Sequence, residues 1–397
     1  MSDVAEMARP DHVAAEKVVD FDFYNDLSVD DPHELIANLA KENPVFWTPR
    51  NGGHWVLAGH PEIFEAVRNT EVFSSHRMSI PPTPYEQQQI PINIDPPMHA
   101  IYREPLSRAF SPKGMMALQD DIRNLAIELI EKVRPNGRSD FALDVAEPLP
   151  VTIFMRLMGL PLDQLGLYRQ WVNQLLISSD PVRKTEAAQQ VNEAMSAIVR
   201  DRMEKRENDL ISVLLDTSID GREVTFEEMQ GFCLLLFIAG LDTVMNGMCY
   251  GVRHLAQHPE LQAQLRADPS LITDMMEETL RRYTFTMPPR VINQDHEAFG
   301  VRFRKDDMVL LMLPGADLDG REFADPKNFN LDRENKVHIA FNSGPHRCVG
   351  SHLARIEMRI VYEEVLKRLP EFRLDPERPP VLHGANVIGF DSLPIVW

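Results

Sequence analysis

Between Thr225 and His258 nothing in the sequence stops a helix. Thr225-Phe226-Glu227-Glu228 has the pattern of a capping box, and the next breaker is the His258-Pro259 pair. At 1.5 Å per residue this predicts one helix on the order of 45 to 50 Å long, enough to cross the whole molecule. Its middle reads Leu234-Leu235-Leu236-Phe237-Ile238-Ala239-Gly240-Leu241-Asp242-Thr243-Val244. An acid and a hydroxyl thus stand beside a glycine in the least polar part of a central helix. Burying an unpaired carboxylate forfeits its hydration, so Asp242 must have a partner or a task.

The remainder of the sequence describes a globular protein around that helix. The chain has 397 residues, 44% of them hydrophobic and 25% charged, with a mean hydropathy of −0.26. The formal net charge is −19, which argues against nucleic acid or an anionic membrane as the main partner, since both reward excess Lys and Arg. Cys233, Cys249 and Cys348 are too few for a disulfide framework and lack the paired spacing of a zinc site. A reducing, cytoplasmic setting is expected. The N-terminal residues mix acids and bases without an apolar h-region, so no signal peptide is visible. The longest uncharged apolar run, Gly231 to Leu241, is eleven residues, against roughly 20 for a bilayer span. No membrane anchor is expected.

Along the chain, residues about 40–80 predict a small β-containing region, with two strands around Asn51-Gly52-Gly53 and a helix from about Pro61 to Asn69. Six prolines between Pro81 and Pro97 exclude a regular helix or central strand there. From about 111 to 290 apolar residues recur at helical spacing, with breaks at 135–137, Pro161 and Asp220-Gly221. After Arg290 alternation predicts several strands, and the final 384–397 predicts a closing hairpin. No repeat, linker or composition shift divides the chain, so 1–397 is expected to be a single domain: mainly α with small β-sheets.

The strongest chemical signal is Phe341-Asn342-Ser343-Gly344-Pro345-His346-Arg347-Cys348-Val349-Gly350, just ahead of a helix beginning near Ser351. Glycines let backbone approach a flat ligand, and a helix N-terminus behind the sulfur favours its thiolate. The decad resembles the haem-binding signature of the cytochrome P450 superfamily, whose cysteine is the axial iron ligand. Asn342 replaces the usual glycine, and asparagine tolerates left-handed backbone. Glu278-Thr279-Leu280-Arg281 with Arg333 is similar to the family's buried E-x-x-R triad, which holds that loop. Ala239-Gly240-Leu241-Asp242-Thr243 is similar to its oxygen-binding motif, implying that Gly240 permits a local widening of the helix while Asp242 and Thr243 organise protons. Asp95-Pro96-Pro97-Met98-His99, with Arg103 following, resembles a propionate-binding segment, so His99, Arg103, Arg290 and His346 are the propionate candidates. Phe341 and Gly350 complete the cofactor set.

The resemblance implies haem b, held between a long central helix and a Cys-bearing loop-helix, in an enzyme that hydroxylates an unactivated C–H bond with O2. It is closest to the soluble bacterial camphor hydroxylase group, on the LLLFIAGLDTVMN helix, the RRYTFTMPPR segment and the LPIVW ending. Carrying that group's pocket over implies that Gln87, Leu235, Ile238, Ala239, Thr286, Asn386 and Val387 face the substrate. Gln87 stands where a ketone-binding tyrosine is found, with Tyr85 two residues away. A small, mostly apolar monoterpenoid or norisoprenoid is therefore expected rather than camphor. Two electrons are expected from a [2Fe-2S] ferredoxin with an NADH-dependent reductase, docking near Arg103, Arg108, Lys113, Lys336, Arg347 and Arg355. The alternatives are a peroxide-driven haem-thiolate enzyme and a non-catalytic haem or ligand sensor.

Overall fold

The computed structural model describes residues 6–82, 88–176 and 181–397. Eight helices position the site: α1 (Met98–Ala109), α2 (Gln119–Val133), α3 (Pro148–Met158), α4 (Pro181–Glu204), α5 (Phe226–Leu241), α6 (Thr243–Gln257), α7 (Ile272–Arg282) and α8 (Ser351–Arg368). As the helical periodicity predicts, the middle of the chain is mostly helix. The Asp220-Gly221 break is a tight turn between two-residue strands, with φ of 51° and 79° at those residues.

The long helix is not continuous. Its start is as predicted, since Thr225 Oγ1 accepts from the Glu228 N–H at 3.2 Å while Glu228 accepts from the Thr225 N–H at 2.8 Å. It then ends at Leu241, and Asp242 lies outside helical geometry at φ −120°, ψ −39°. Three side-chain bonds accompany the interruption. The Thr243 hydroxyl donates to the Ala239 carbonyl at 3.3 Å, and Asn246 Nδ2 donates to both the carbonyl and the carboxylate of Asp242 at 3.2 Å. Such groups compete with the main-chain ladder and are a recognised cause of helix breaks. Taken together, 226–257 is apolar and long enough to cross a membrane, but 65% of its apolar window is buried inside the protein.

Five strands form one sheet: β1 (Val45–Thr48), β2 (His54–Leu57), β3 (Phe73–Ser74), β4 (Pro289–Ile292) and β5 (Met308–Leu311), in the order β1-β2-β5-β4-β3. The predicted β1–β2 hairpin is present, but it is incomplete alone. Val309 of β5 pairs in parallel with Trp55, and Arg290 of β4 pairs across from Val309. Each strand here is buried on both faces, at about 1.5–3 kcal/mol for each large apolar side chain removed from water.

The predicted terminal hairpin is corrected. Strand β6 (Val381–His383), which starts before the expected segment, pairs with β7 (Gly389–Ser392). The last strand, Pro394–Val396, instead joins Arg138–Asp140 and Arg373–Leu374. The Leu393 N–H and the Ser392 hydroxyl both donate to Asp140, which diverts the chain end to that second sheet.

Candidate active site

The predicted Cys loop folds back on itself ahead of α8. The Cys348 N–H donates to the Phe341 carbonyl at 2.8 Å, closing the turn. Asn342 adopts φ 60°, as its substitution for glycine anticipates, and Gly344 at φ 68° lies against the Val67 carbonyl where a Cβ would collide. Phe341 is covered by the Arg355 guanidinium, 4.5 Å from the ring centre.

Below the loop, Arg281 holds Glu278 through two bonds of 2.8 Å, and Arg333 holds the same carboxylate at 3.2 Å. All three are buried. The remaining guanidinium N–H groups donate to the carbonyls of Asp317, Pro326 and Asn328. The three residues predicted to act together therefore tie α7 to the 317–333 segment, with one buried carboxylate shared between two guanidiniums.

Cys348 opens on a cavity of about 560 Å³ between the loop, the α5–α6 junction and the 285–289 and 383–387 segments. Burial pushes the thiol pKa up, against the Gly350 N–H and the charges of Arg103, Arg355 and Arg347, which pull it down. The Gly350 N–H at the start of α8 thus pulls toward the thiolate, the direction expected of a helix N-terminus, and a bound cation would favour it further. A Cβ at Gly350 would meet nothing but that sulfur, at 3.9 Å, so the glycine leaves this wall open.

His99, Arg103 and His346 border the same cavity. The imidazoles of His99 and His346 lie 4.3 Å apart, and Arg290 is wholly enclosed on β4 beside them. His99 Nε2, both nitrogens of His346 and Arg290 Nε have no hydrogen-bond partner. Burial, with Arg290, His99 and Arg103 nearby, lowers His346 to about 2, and burial with Arg103 lowers His99 to about 4. Burial also lowers Arg290 to about 10. His99, His346 and Arg290 are thus buried together with nitrogens that lack acceptors, an arrangement suited to an incoming anion. Arg103 is also fixed by donating to the Arg347 carbonyl. Asp95 orders this corner by accepting from the Ser75 N–H at 3.0 Å and from the Ser74 hydroxyl.

Gly240, Asp242 and Thr243 line the wall that α5 and α6 present. At Gly240 the glycine is required by packing, because an added Cβ would strike the Phe154 ring; the departure from helix falls two residues later. Leu235, Ile238, Ala239, Thr286, Asn386 and Val387 all border the cavity. Thr286 bridges to Val387, and Asn386 Nδ2 donates to the Met287 carbonyl at 3.1 Å, so its amide braces the wall. Gln87 and Tyr85 lie outside the described residues. A larger, polar groove of about 1130 Å³ beside His254 and residues 322–335 shares no lining residue with this cavity.

The sequence reading missed three features of the site. Asn246, two strand-borne groups (His383 and Asp391) and Glu357, a buried cavity-lining carboxyl with an unpartnered oxygen, carry no motif of their own. The cations named from the sequence as a docking patch differ in their pairing. Lys336 is paired with Asp274 at 2.6 Å, Arg355 with Glu277 at 2.6 and 3.0 Å, and Arg108 with Glu104. Arg103 belongs to the cavity wall. Among the described residues Lys113 and Arg347 are exposed without an acidic partner.

The sequence profile of the cytochrome P450 family matches residues 164–391. The chain belongs to the cytochrome P450 family. This P450 is 32% identical over 400 residues to "Probable cytochrome P450 127A1" of Sinorhizobium fredii, covering 98% of this chain and 96% of that protein. It is 31% identical to a "Steroid C26-monooxygenase" of Mycolicibacterium smegmatis, across 90% and 91% of the two chains. Among solved structures it is similar to CYP101J2, with a TM-score of 0.91, 33% identity and coverage of 98% and 99%. CYP101C1 gives 0.90 and 34%, covering 98% and 100%. The P450 is therefore a haem-dependent monooxygenase, with the fold of the soluble bacterial camphor hydroxylase group. Haem b fits the residues present: a cavity-facing thiol suits the iron, and the orphaned donors of His99, His346 and Arg290 suit two carboxylates.

Proposed function

We propose that this P450 hydroxylates an unactivated C–H bond of a small, mostly apolar monoterpenoid or norisoprenoid, with electrons from a [2Fe-2S] ferredoxin and its NADH-dependent reductase. The observation that carries this reading is the single cavity shared by the Cys348 sulfur, the Asp242-Thr243 pair and an aliphatic wall.

In this reading Cys348 binds the haem iron, and His99, Arg103, Arg290 and His346 neutralise the propionates. Haem b supplies the oxygen activation and hydrogen abstraction that no side chain can perform. The protein's part is positioning. Leu235, Ile238, Ala239 and Val387 exclude water and orient the substrate by shape, so the carbon attacked follows from the fit. Thr243 presents a hydroxyl to the distal side from the helix break. Asp242, its carboxyl pushed up by burial, holds a proton nearer neutral pH than an ordinary aspartate does. Glu278, Arg281 and Arg333 keep the thiol loop in place.

The Asp242-Thr243 pair at the cavity favours oxygen activation with external electrons over peroxide-driven turnover or passive ligand sensing. The test is the absorbance of the reduced protein under carbon monoxide, followed by a ligand screen read as a Soret shift. The wild type should give the band of a thiolate-ligated haem, and Cys348→Ser should lose it. A band unchanged in Cys348→Ser would sink the assignment. Preference for long fatty acids or macrolides would sink the substrate class, and efficient turnover with peroxide alone would sink the electron source.

A further inference from the structure

If Asp242 gives protons to the cavity, it must regain them, and its immediate surroundings do not show how. The residue is 8% exposed. Among the described residues its carboxylate has one hydrogen-bond partner, Asn246 Nδ2 at 3.2 Å, and neither a lysine nor an arginine pairs with it. A carboxyl enclosed in this way exchanges protons only through a defined route.

Such a route leads through the β6–β7 hairpin. Asn246 is fully buried, and its Oδ1 accepts from the Phe390 N–H of β7 at 2.9 Å. On β6, His383 shares a hydrogen bond of 2.8 Å between Nδ1 and Asp391 Oδ1. The imidazole is 11% exposed and the Asp391 side chain 49%, so this pair links interior to solvent. His383 and Asp242 border the same cavity.

Gly389, paired in register with His383, marks the remaining gap. A Cβ there would stand 2.7 Å from His383 Nε2 and 2.8 Å from Asn246 Oδ1, so those atoms are at most about 5.5 Å apart. One water bridges such a span. Electrostatics agrees with the proximity: burial raises the Asp242 carboxyl, the facing His383 lowers it and Asp391 raises it. The other acids near this corner are Glu147, at the start of α3, which feels Asp242, and Asp140 on the neighbouring sheet.

We propose that Asp391 and His383 form the path by which Asp242 is reprotonated from solvent. His383 takes up a solvent proton at Nε2, and the Asp391 carboxylate, bonded at Nδ1–H, stabilises the imidazolium that forms. Nε2 then gives that proton to a water beside Asn246, and the water gives one to the Asp242 carboxylate. The imidazole is left neutral in its first tautomer, so the net transfer is one proton inward, with no change in oxidation state. The proposal rests on the reading of Asp242 as proton donor. His383 touches neither substrate nor oxygen and acts through Asp242.

The haem-loaded protein with a substrate identified by Soret shift supplies the test. His383→Gln and Asp391→Asn should each lower kcat about tenfold and raise the solvent deuterium isotope effect, with KM and the spectral binding constant within twofold of wild type. Gly389→Ala should act in the same direction with His383 intact, because its methyl group would collide with the His383 ring and Asn246 Oδ1 and push them out of place. An unchanged rate and isotope effect in His383→Gln overturns the proposal. If Asp242→Asn slows turnover while His383→Gln does not, this path alone fails; if Asp242→Asn has no effect, the donor reading fails with it.

Discussion

Thr243 donates to the carbonyl of Ala239, one helical turn back, even though it stands at a helix break and borders the cavity. That weak internal bond, 3.3 Å long, leaves the hydroxyl available to exchange partners when oxygen and water arrive. Thr243→Ala should therefore keep haem and substrate binding but divert reducing equivalents to hydrogen peroxide, measured as product formed per NADH consumed. Unchanged coupling would remove Thr243 from the proton route. At this scale legibility followed the motif. Phe341 to Gly350, Glu278 with Arg281, and Asp242-Thr243 are short strings whose residue types already carry a chemical meaning. Asn246 and His383 are ordinary polar residues until the fold brings β7 across α6, and no local pattern announces a contact between positions 246 and 390.

Gly240 shows the same limit in an element. Its place in the motif was readable from the chain, but the reason for a glycine there is the Phe154 ring on α3, which leaves no room for a Cβ. Gly240→Ala should destabilise the protein by about 1–3 kcal/mol in denaturant melts, and adding Phe154→Ala should recover part of that loss. An additive double mutant would show that the ring is not the obstacle. The long helix was legible in its start and its far end, because caps and prolines act locally. Its interruption was not, because it depends on where Asn246 donates. The chain terminus was misread for a related reason: alternation marks strands but does not select their partners, and Asp140 does.

For the molecule as a whole, two charge effects can be measured. Glu357 is completely buried, has an oxygen without a partner, and burial raises its carboxyl to about 8. The native state therefore keeps a proton that the unfolded chain releases above its ordinary value of 4.5. Stability must fall as pH rises from about 4.5 to about 8, by at most ~1.4 kcal/mol per unit from this group. Melting temperatures across that range should show the decline, and Glu357→Gln should flatten it; an equal slope in both proteins would contradict the assignment. The net charge of −19 opposes an acidic ferredoxin everywhere except at local cations. Since Lys336 and Arg355 are committed to acids, Lys113→Glu and Arg347→Glu are the informative reversals. Each should slow reductive turnover severalfold at low salt and less at high salt, and a salt-independent rate would place docking elsewhere.

The five-stranded sheet also has a consequence for synthesis. Strand β2 is complete by Leu57, yet its parallel neighbour ends at Leu311. At roughly 5–20 residues per second, the ribosome needs on the order of 10–50 s to deliver the missing strand. Throughout that interval Trp55, Val56 and Leu57 present to solvent the edge that β5 later covers. Nascent chains of this protein should thus be clients for holding chaperones early in translation, well before any cofactor can be captured.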